Sequence, residues 1–305
     1  MEHIGNFGGI ILPISTILIV SFIIYKGKLV DCNNFGIICS CVFMIYWILF
    51  LNVNPSSIPA HKDKILSYIP KQHSLDEKML SKQTNLKNLK YPVIFKPTIC
   101  TGISRSVALI KNITDANEYI KVVGYDDILI QKFVEYKNEV AVLYEKNPFT
   151  GRGNIISMVS KISNNYEIMP SCRSGIGVKC VNLTDQVTQK LVHVIDKISN
   201  RIPDFNIGRY DIKYKDLKSL MRGEDFYVLE INGVMGYDMT VFDDNLMGKI
   251  KSFQMSVEWE IRRFIMGFKN IITFQGFNIF ELISSMSASV IGSIECKNWE
   301  RLFCG

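Results

Sequence analysis

The sequence lacks the two glycine-rich signatures that most often hold phosphate groups. Neither GxxxxGK[ST] nor GxGxxG occurs, because Gly151-Arg152-Gly153 and Gly175-Ile176-Gly177 stand without the remaining glycines. These absences argue against a P-loop and against a Rossmann dinucleotide site. A phosphate-binding function would therefore need side-chain charges or a loop of another kind.

Metal-ligating patterns of cysteine and histidine are also missing. The eight cysteines are scattered without a CxxC, and there are only four histidines, which argues against a zinc site. We expect reduced thiols packed as small hydrophobes, as in a cytosolic-type compartment.

The net charge of +6 is mild, and no patch of basic residues alternates with aromatic residues. Nucleic acid is therefore not an expected partner, whereas anionic small molecules or anionic lipid are expected partners.

Charged residues are absent from two long runs near the N-terminus, Phe7 to Tyr25 and Phe35 to Val53. Each run has about the length that spans a bilayer as a helix. We interpret residues 1–54 as a two-helix transmembrane hairpin. The alternatives are a cleaved signal peptide, although Met1-Glu2-His3 lacks a basic region, and a pair of buried core helices.

Two spans place the N-terminus and everything after Val53 on the same side of the membrane. Residues 55–90 read as a tether followed by a short helix, and seven lysines lie between His61 and Lys90 against three acidic residues. This excess of basic residues predicts a two-pass membrane protein whose following domain is cytoplasmic, although the short connector between the runs also holds two lysines.

From Tyr91 the pattern alternates between strand-like and helix-like segments, which predicts an α+β domain over residues 91–247. Helices are expected from Asp115 to Val123 and from Thr184 to Arg201, the second opened by Thr184 or Asp185 as a cap. Residues 248–305 read as a mostly helical C-terminal segment. Its expected packing positions are Trp259, Phe264, Phe268 and Phe280.

Lys96 ends the apolar strand YPVIF and precedes a small polar loop that contains Gly102 and Ser104. A lysine fixed at a strand end can act as a point charge on a phosphate, while such a loop offers backbone N–H groups to cover it. The alternative is an ordinary surface lysine before a turn.

A second polar segment follows the apolar strand DILIQ. Gln131, Lys132, Phe133 and Val134 form a connector that can present backbone N–H and C=O groups to adenine, and Glu139 supplies a carboxylate nearby for ribose hydroxyls. This predicts a hinge between two lobes that both contact a nucleotide.

The most informative pattern joins the strands RYDIKY and FYVLEIN. Residues two apart on a strand share a face, so Arg209 with Asp211, and Glu230 with Asn232, are expected to project the same way from neighbouring antiparallel strands. Asp211, Glu230 and Asn232 would supply oxygen ligands for Mg²⁺ that bridges ATP phosphates, and Arg209 would stabilise phosphoryl-transfer charge. The alternative is a set of cross-strand ion pairs on a solvated face.

The chain resembles the ATP-grasp superfamily in the order of its motifs, which are FKP, a glycine-containing loop, IQKFVEYKNEVAVLY, GRYDIKY and FYVLEING. The resemblance covers about Tyr91 to Asn245, and it is closest to the D-alanine–D-alanine ligase-like, carboxylate–amine ligase branch. It implies two α+β lobes that clasp ATP and Mg²⁺, phosphorylation of a carboxylate to an acyl phosphate, and attack by an amine. The expected partners are small-molecule or lipid-linked carboxylate and amine substrates and the membrane, and the oligomeric state is not predicted.

By position, the resemblance assigns phosphate contact to Lys96, adenine contact to Gln131–Val134, ribose contact to Glu139, transfer-state stabilisation to Arg209, and magnesium to Asp211, Glu230 and Asn232. Three features depart from the family. The usual N-terminal substrate-side domain does not fit into Asn54 to Lys90, where the two predicted spans take its place. The family's earlier phosphate-binding lysine is not identifiable, although Lys71, Lys78 or Lys82 could serve, and VMGYDMTVFDD lacks the family's pattern of small residues and proline. A non-catalytic or nucleotide-binding protein of the same fold is therefore the alternative function, and phosphotransfer without ligation is a third.

Arg173 and Lys179 are candidates for a second anion contact, and Lys161 is a weaker candidate. The alternative is that these residues are solvated charges on a loop.

Overall fold

The computed structural model describes residues 53–54, 66–97, 107–124, 128–163, 178–233, 236, 238–242 and 246–272. The predicted transmembrane hairpin lies outside these ranges apart from its last two residues. Among the helices that are described, none is both long enough and apolar enough to cross a membrane.

The first sheet has four antiparallel strands in the order β1-β4-β2-β3. Helix α1 packs against it, and the apolar side chains between helix and sheet include Phe95, Ile130 and Tyr119. The bounds are β1 Glu77–Met79, β2 Val93–Pro97, β3 Ala108–Ile110, α1 Ile113–Val123 and β4 Ile128–Lys132.

Helix α1 begins two residues earlier than predicted because its cap is Asn112. The Asn112 side chain accepts hydrogen bonds from the backbone N–H groups of Thr114 and Asp115, which satisfies two donors of the first turn. The helix ends at Gly124, whose positive φ of 90° favours glycine.

The second sheet has five antiparallel strands in the order β7-β6-β5-β8-β9. One face of its central strand, with Val140, Val142 and Tyr144, is fully buried in the larger core under helix α2. The bounds are β5 Asn138–Lys146, β6 Gly153–Ser163, β7 Val178–Asn182, α2 Gln189–Ser199, β8 Ile207–Tyr214, α3 Leu217–Met221 and β9 Phe226–Asn232.

The helix predicted from Thr184 to Arg201 is shorter in the structure. Thr184 opens only a 3-10 turn to Gln186, and α2 is capped by Thr188, whose side chain accepts from the N–H of Leu191. The Thr184 hydroxyl donates to the Asn182 side chain and accepts from the N–H of Met158. It is therefore committed to the sheet, and the α-helix starts after it.

Part of the predicted tether belongs to the folded domain. Residues Glu77–Met79 pair with Leu129–Gln131 as β1, and the carbonyl of His73 accepts from the N–H of Val228 at 2.8 Å on the edge of β9. A three-residue strand is too short to show an alternating pattern, so the sequence did not reveal it. The other domain boundaries stay predictions.

Helix α4 (Leu246–Ile272) covers one end of the second sheet. Trp259 and Met266 pack there on Leu143 and Ile207. The expected packing role is confirmed for Trp259, whereas it is wrong for Phe268, whose residue surface is 58% exposed. Phe264 is partly buried, and Phe280 lies outside the described residues.

Candidate functional site

One face of the second sheet carries the candidate site at the end that α4 leaves uncovered. Across this face, Glu139 lies opposite Lys161 of β6 and Lys213 of β8, and Asp211 lies opposite Glu230 of β9. Arg209 is paired in register with Asn232. The predicted alignment of RYDIKY with FYVLEIN is therefore confirmed.

Asp211 is the hub of this face. Its Oδ1 accepts from Arg209 Nε and its Oδ2 from Arg209 Nη2, both at 3.1 Å, and Asn232 Nδ2 donates to Oδ2 at 3.3 Å. A guanidinium that contacts both carboxylate oxygens fixes the orientation of both side chains. The three predicted residues thus form one connected network.

Lys161 completes the network. From the sequence it was only a weaker candidate for a second anion contact. Its ammonium lies 2.9 Å from Glu139 Oε1 and 3.2 Å from Asp211 Oδ1, and its side chain is 2% exposed. A lysine within the apolar run NIISMVSKI is costly to bury without partners. A buried lysine needs an anionic partner, and the preceding strand offers Glu139. This need is the signal that could have identified Lys161.

The charges of the network reinforce one another. Burial raises the pKa of the Asp211 carboxyl, but Arg209 and Lys161 outweigh burial and hold that pKa well below its ordinary value. Burial lowers the pKa of Lys161, but Asp211 and Glu139 outweigh it and raise that pKa above its ordinary value. Both groups are therefore charged throughout the physiological pH range.

Lys96 joins the first sheet to this site. Its ammonium donates to the carbonyl of Leu229 at 3.1 Å and lies 3.4 Å from Glu77 Oε1. Between Asp211 and Ile212 the pairing of β8 with β9 shifts by one residue, so Leu229 is the extra residue of a β-bulge, whose backbone is left outside the regular ladder. Lys96 therefore spans the cleft between the sheets and reaches the strand that carries Glu230.

Glu77 is a second residue that the sequence reading missed, because it lay in the predicted tether. Its Oε1 also accepts a hydrogen bond from the side-chain amide of Gln131. Gln131 is one of the predicted adenine-hinge residues, so Glu77 connects the hinge to the phosphate-contacting candidate Lys96.

The predicted hinge does connect the two sheets, since residues 133–137 link β4 to β5. Gln131 and Val134 are buried, Phe133 is half-buried and Lys132 is exposed. Lys213 holds the connector from the site face: its ammonium donates to the carbonyl of Tyr136 at 3.1 Å and lies 5.8 Å from the centre of the Phe133 ring.

Glu139 leaves an acceptor for a ligand. One of its oxygens pairs with Lys161, while Oε2 is buried and has no hydrogen-bond partner in the described part of the chain. Such an atom costs free energy unless a donor reaches it. A ribose hydroxyl beside the hinge would satisfy it, which fits the predicted contact.

The carboxylates also fit a hard cation. Asp211 and Glu230 lie directly opposite each other across two strands, where like charges repel unless a cation lies between them. No cluster of three or more His, Cys, Asp and Glu side chains that could hold a metal occurs within the described ranges. Magnesium here would thus take two carboxylates and the Asn232 amide, with phosphate and water completing its shell.

The segment after Asn232 packs on the site through a glycine. A Cβ at Gly236 would come within 2.7 Å of the Asn232 carbonyl oxygen and 2.9 Å of Arg209 Cβ. Beyond it, the Asp238 carboxylate accepts from the Ser157 hydroxyl at 2.8 Å. Gly236 therefore packs closely against Arg209, and Met239 accepts a contact from the Arg209 guanidinium at 3.7 Å. Gly102, Ser104 and Arg173 lie outside the described residues, and Lys179 is exposed on β7.

Comparison with known proteins gives matches at the level of structure only. No protein-family model and no curated protein matches the sequence. A D-alanine–D-alanine ligase from Bacillus anthracis is similar over 73% of this chain and 71% of its own, with 18% identity and a TM-score of 0.47. The corresponding enzyme from Coxiella burnetii matches 73% of this chain and 63% of its own, with 15% identity and a TM-score of 0.44.

An L-amino acid ligase from Bacillus licheniformis is similar at 14% identity and a TM-score of 0.40, over 57% of this chain. The match covers 40% of that ligase and 44% of an N5-carboxyaminoimidazole ribonucleotide synthetase, so the chain spans less than half the length of both proteins. The function is therefore inferred from the residues of the site itself.

Proposed function

We propose that this protein is a membrane-anchored ligase that uses ATP and Mg²⁺ to activate a carboxylate as an acyl phosphate for attack by an amine. The observation that carries the proposal is that Lys161 and Arg209 both pair with Asp211, that Asp211 lies opposite Glu230, and that Lys96 reaches the neighbouring Leu229 carbonyl from the first sheet. Three cations beside two metal-suited carboxylates are what phosphoryl transfer requires, because its catalysis is mostly positioning and charge stabilisation.

Each residue of the network has a defined task in this proposal. Lys96 holds phosphate oxygens from the first sheet, and Lys161 holds them from the second. Arg209, kept in place by Asp211 and Gly236, faces the charge that develops on the transferred group. Magnesium, when bound, would neutralise phosphate charge between Asp211, Glu230 and Asn232. ATP phosphorylates the substrate carboxylate, ADP leaves, and the amine displaces phosphate from the acyl group.

Phosphate binding requires the cations to change partners. Lys161 is shared by Glu139 and Asp211, so its move toward a phosphate would free Asp211 to hold a metal ion, while Glu139 Oε2 is already available to the ribose. The exchange conserves the number of ion pairs, which keeps the cost of desolvation low. The network of Lys161, Asp211 and Arg209 is thus an organised starting state for nucleotide binding.

A second candidate function is a nucleotide-binding or non-catalytic protein of the same fold. The observation that favours it is that Asp211 already has three protein partners, Arg209, Lys161 and Asn232. A network complete in itself can be retained for stability alone.

Calorimetry of the full chain in an amphipol distinguishes the two. The ligase proposal predicts Mg²⁺-dependent ATP binding that Lys96→Ala and Lys161→Ala weaken and exposed Lys215→Ala leaves intact. It also predicts ADP formation that needs both a carboxylate and an amine and is abolished by Glu230→Ala but not by Glu224→Ala. ATP binding with no ADP formation across a broad panel of carboxylates and amines would favour the second function.

A further inference from the structure

The chain is fixed to the folded domain at the residue where the second uncharged run ends. Val53 and Asn54 are buried. The Asn54 side chain donates to the Ile207 carbonyl at 2.6 Å and accepts from the N–H groups of Asn206 and Ile207 at 2.8 and 3.0 Å. The Val53 carbonyl accepts from the side chains of Asn206 and Asn270 at 2.8 and 3.2 Å. No flexible linker therefore separates the end of this run from the domain.

A basic cleft of about 540 Å³ opens beside this attachment. Its lining contains three cations, Lys146, Arg201 and Lys269, against one carboxylate, Asp204. In the part of the chain that the structure describes, no carboxylate lies within ion-pair distance of the Lys146 ammonium. Burial and the neighbouring Lys269 lower the pKa of Lys146, while Asp196 and Asp204 oppose them. The cleft therefore carries net positive charge that an anion would stabilise.

Two large aromatic side chains project beside the cleft. Phe149 is 81% exposed at the tip of the β5–β6 hairpin, and Phe268 is 58% exposed on α4. Both lie at the same end of the domain, because Lys269 donates to the carbonyl of Pro148. The turn is held by the Asn147 side chain, which accepts from the N–H groups of Phe149 and Thr150, both at 2.9 Å. The phenyl group of Phe149 is thus not needed to form the turn.

We propose that this end of the domain lies on an anionic phospholipid surface, with Phe149 and Phe268 in the interfacial layer and lipid phosphate in the cleft of Lys146, Arg201 and Lys269. The inference rests on the membrane anchoring in the proposed function, and it adds an orientation and a lipid class. Aromatic side chains rimmed by basic ones suit the boundary between headgroups and acyl chains. Charge complementarity and the place where the uncharged run ends favour a bilayer over other occupants.

The orientation has a consequence for substrate access. Lys146 and Glu139 stand at opposite ends of β5, seven residues apart, and a strand rises about 3.3 Å per residue. The nucleotide site therefore opens about 23 Å from the membrane-facing end. A substrate would be reached above the headgroups and not within the bilayer.

Hydrogen exchange of the full chain tests the proposal. The protein is reconstituted in nanodiscs of phosphatidylcholine alone, in nanodiscs that contain phosphatidylserine, and in a lipid-free amphipol. We expect exchange over residues 146–152 and 265–270 to be slowest in phosphatidylserine, intermediate in phosphatidylcholine and fastest in amphipol. Soluble glycerophosphoserine in the amphipol sample should not reproduce the protection, because it offers phosphate without a surface.

Variants separate this surface from the rest of the molecule. Lys146→Gln should weaken docking by about fivefold, since each basic residue near an anionic surface is worth about 1 kcal/mol, and Phe149→Ser should remove the protection that phosphatidylcholine gives. Lys121→Gln and Val122→Ser on exposed positions of α1 are the matched controls.

Two results would overturn the proposal. Protection that is equal in all three media would mean that another part of the chain or a second copy covers the surface, and a uniform absence of protection would mean that nothing does. Calorimetry with Mg²⁺ and ATP in amphipol is independent of both results, so failure of the docking surface and failure of the ligase proposal remain distinguishable.

Discussion

The ammonium of Lys161 lies 3.2 Å from Asp211 Oδ1, and both side chains are at least nine-tenths buried. Each charge needs the other, because an ion taken out of water is stabilised only by partners within the protein. The contact also sets the starting state for nucleotide binding, since a phosphate in the cleft would compete with Asp211 for Lys161. The same pair therefore links the stability of the domain to its proposed chemistry.

Removal of the lysine should be costly for both reasons. Lys161→Ala leaves Glu139 and Asp211 with fewer positive partners, and breaking a buried pair in this way costs about 3–5 kcal/mol of unfolding free energy. The thermal midpoint of the full chain in detergent should fall, whereas Lys215→Ala, whose side chain is 61% exposed and 3.9 Å from Asp225, should change stability by less than about 1 kcal/mol. Equal midpoints for the two variants would contradict the buried network.

The same pair predicts how stability depends on pH. The pKa of Asp211 is lower in the folded than in the unfolded state, so its contribution is present above the unfolded value and is lost as pH falls through the folded one. The pKa of Lys161 is raised on folding, so its contribution is present below its unfolded value and is lost only at strongly alkaline pH. Between about pH 5 and 9 the pair should add no slope.

Asp211→Asn tests this sign. The variant should be less stable than the parent at neutral pH, and the difference in thermal midpoint should shrink as pH is lowered below about 4. Asp185→Asn, at an exposed position, is the control for the loss of one surface carboxylate. A difference that grows toward acid would show that the Asp211 pKa is not depressed.

Several features of the site could be predicted from the sequence, and those that could not be predicted have identifiable physical reasons. Arg209, Asp211, Glu230 and Asn232 were predictable as one constellation because period-two alternation on adjacent strands fixes which side chains share a face. Glu77 and the bulge at Leu229 were not, since a three-residue strand carries no periodicity and a bulge changes register without a composition signal. Phe268 was expected inside because aromatic residues usually pack, yet the buried side chains in the described part of α4 include Trp259, Arg263, Met266 and Asn270, and Phe268 is exposed.

Lys96 should contribute to nucleotide affinity more than to stability. It contacts Leu229 of the second sheet and Glu77 of its own sheet. Lys96→Met keeps the aliphatic stem and removes the charge. We expect Mg²⁺-dependent ATP affinity to fall by about tenfold or more, as for a charge-assisted hydrogen bond worth about 1.5–3 kcal/mol. Lys90→Met, at an exposed position of the same lobe, is the matched control. A similar loss in both variants would point to the net charge of the lobe.

Gly236 should be required for the position of Arg209. In Gly236→Ala the new methyl group would meet a carbonyl oxygen and a Cβ at less than 3.0 Å, and neither atom belongs to a flexible side-chain end. We expect a loss of about 1–3 kcal/mol in stability, typical of overpacking, and a loss of turnover greater than the loss of ATP affinity. The comparison is Gly124→Ala, where a Cβ meets nothing within 4 Å and only the positive φ is strained. Full turnover in Gly236→Ala would separate this glycine from the site.

The attachment of Asn54 should control how firmly the domain is held to the preceding segment. Asn54→Ala removes one donor and one acceptor oxygen and leaves the buried N–H of Ile207 without its side-chain partner. An unsatisfied buried donor costs about 1–3 kcal/mol, so exchange at Asn206 and Ile207 should accelerate in the full chain. Asn85→Ala, on an exposed 3-10 turn of the first lobe, should leave this exchange unchanged. Lys161 and Asp211 lie farther along the second sheet, and Lys96 lies on the first sheet. Mg²⁺-dependent ATP binding should therefore persist in Asn54→Ala, and its loss would show that the attachment also shapes the nucleotide site.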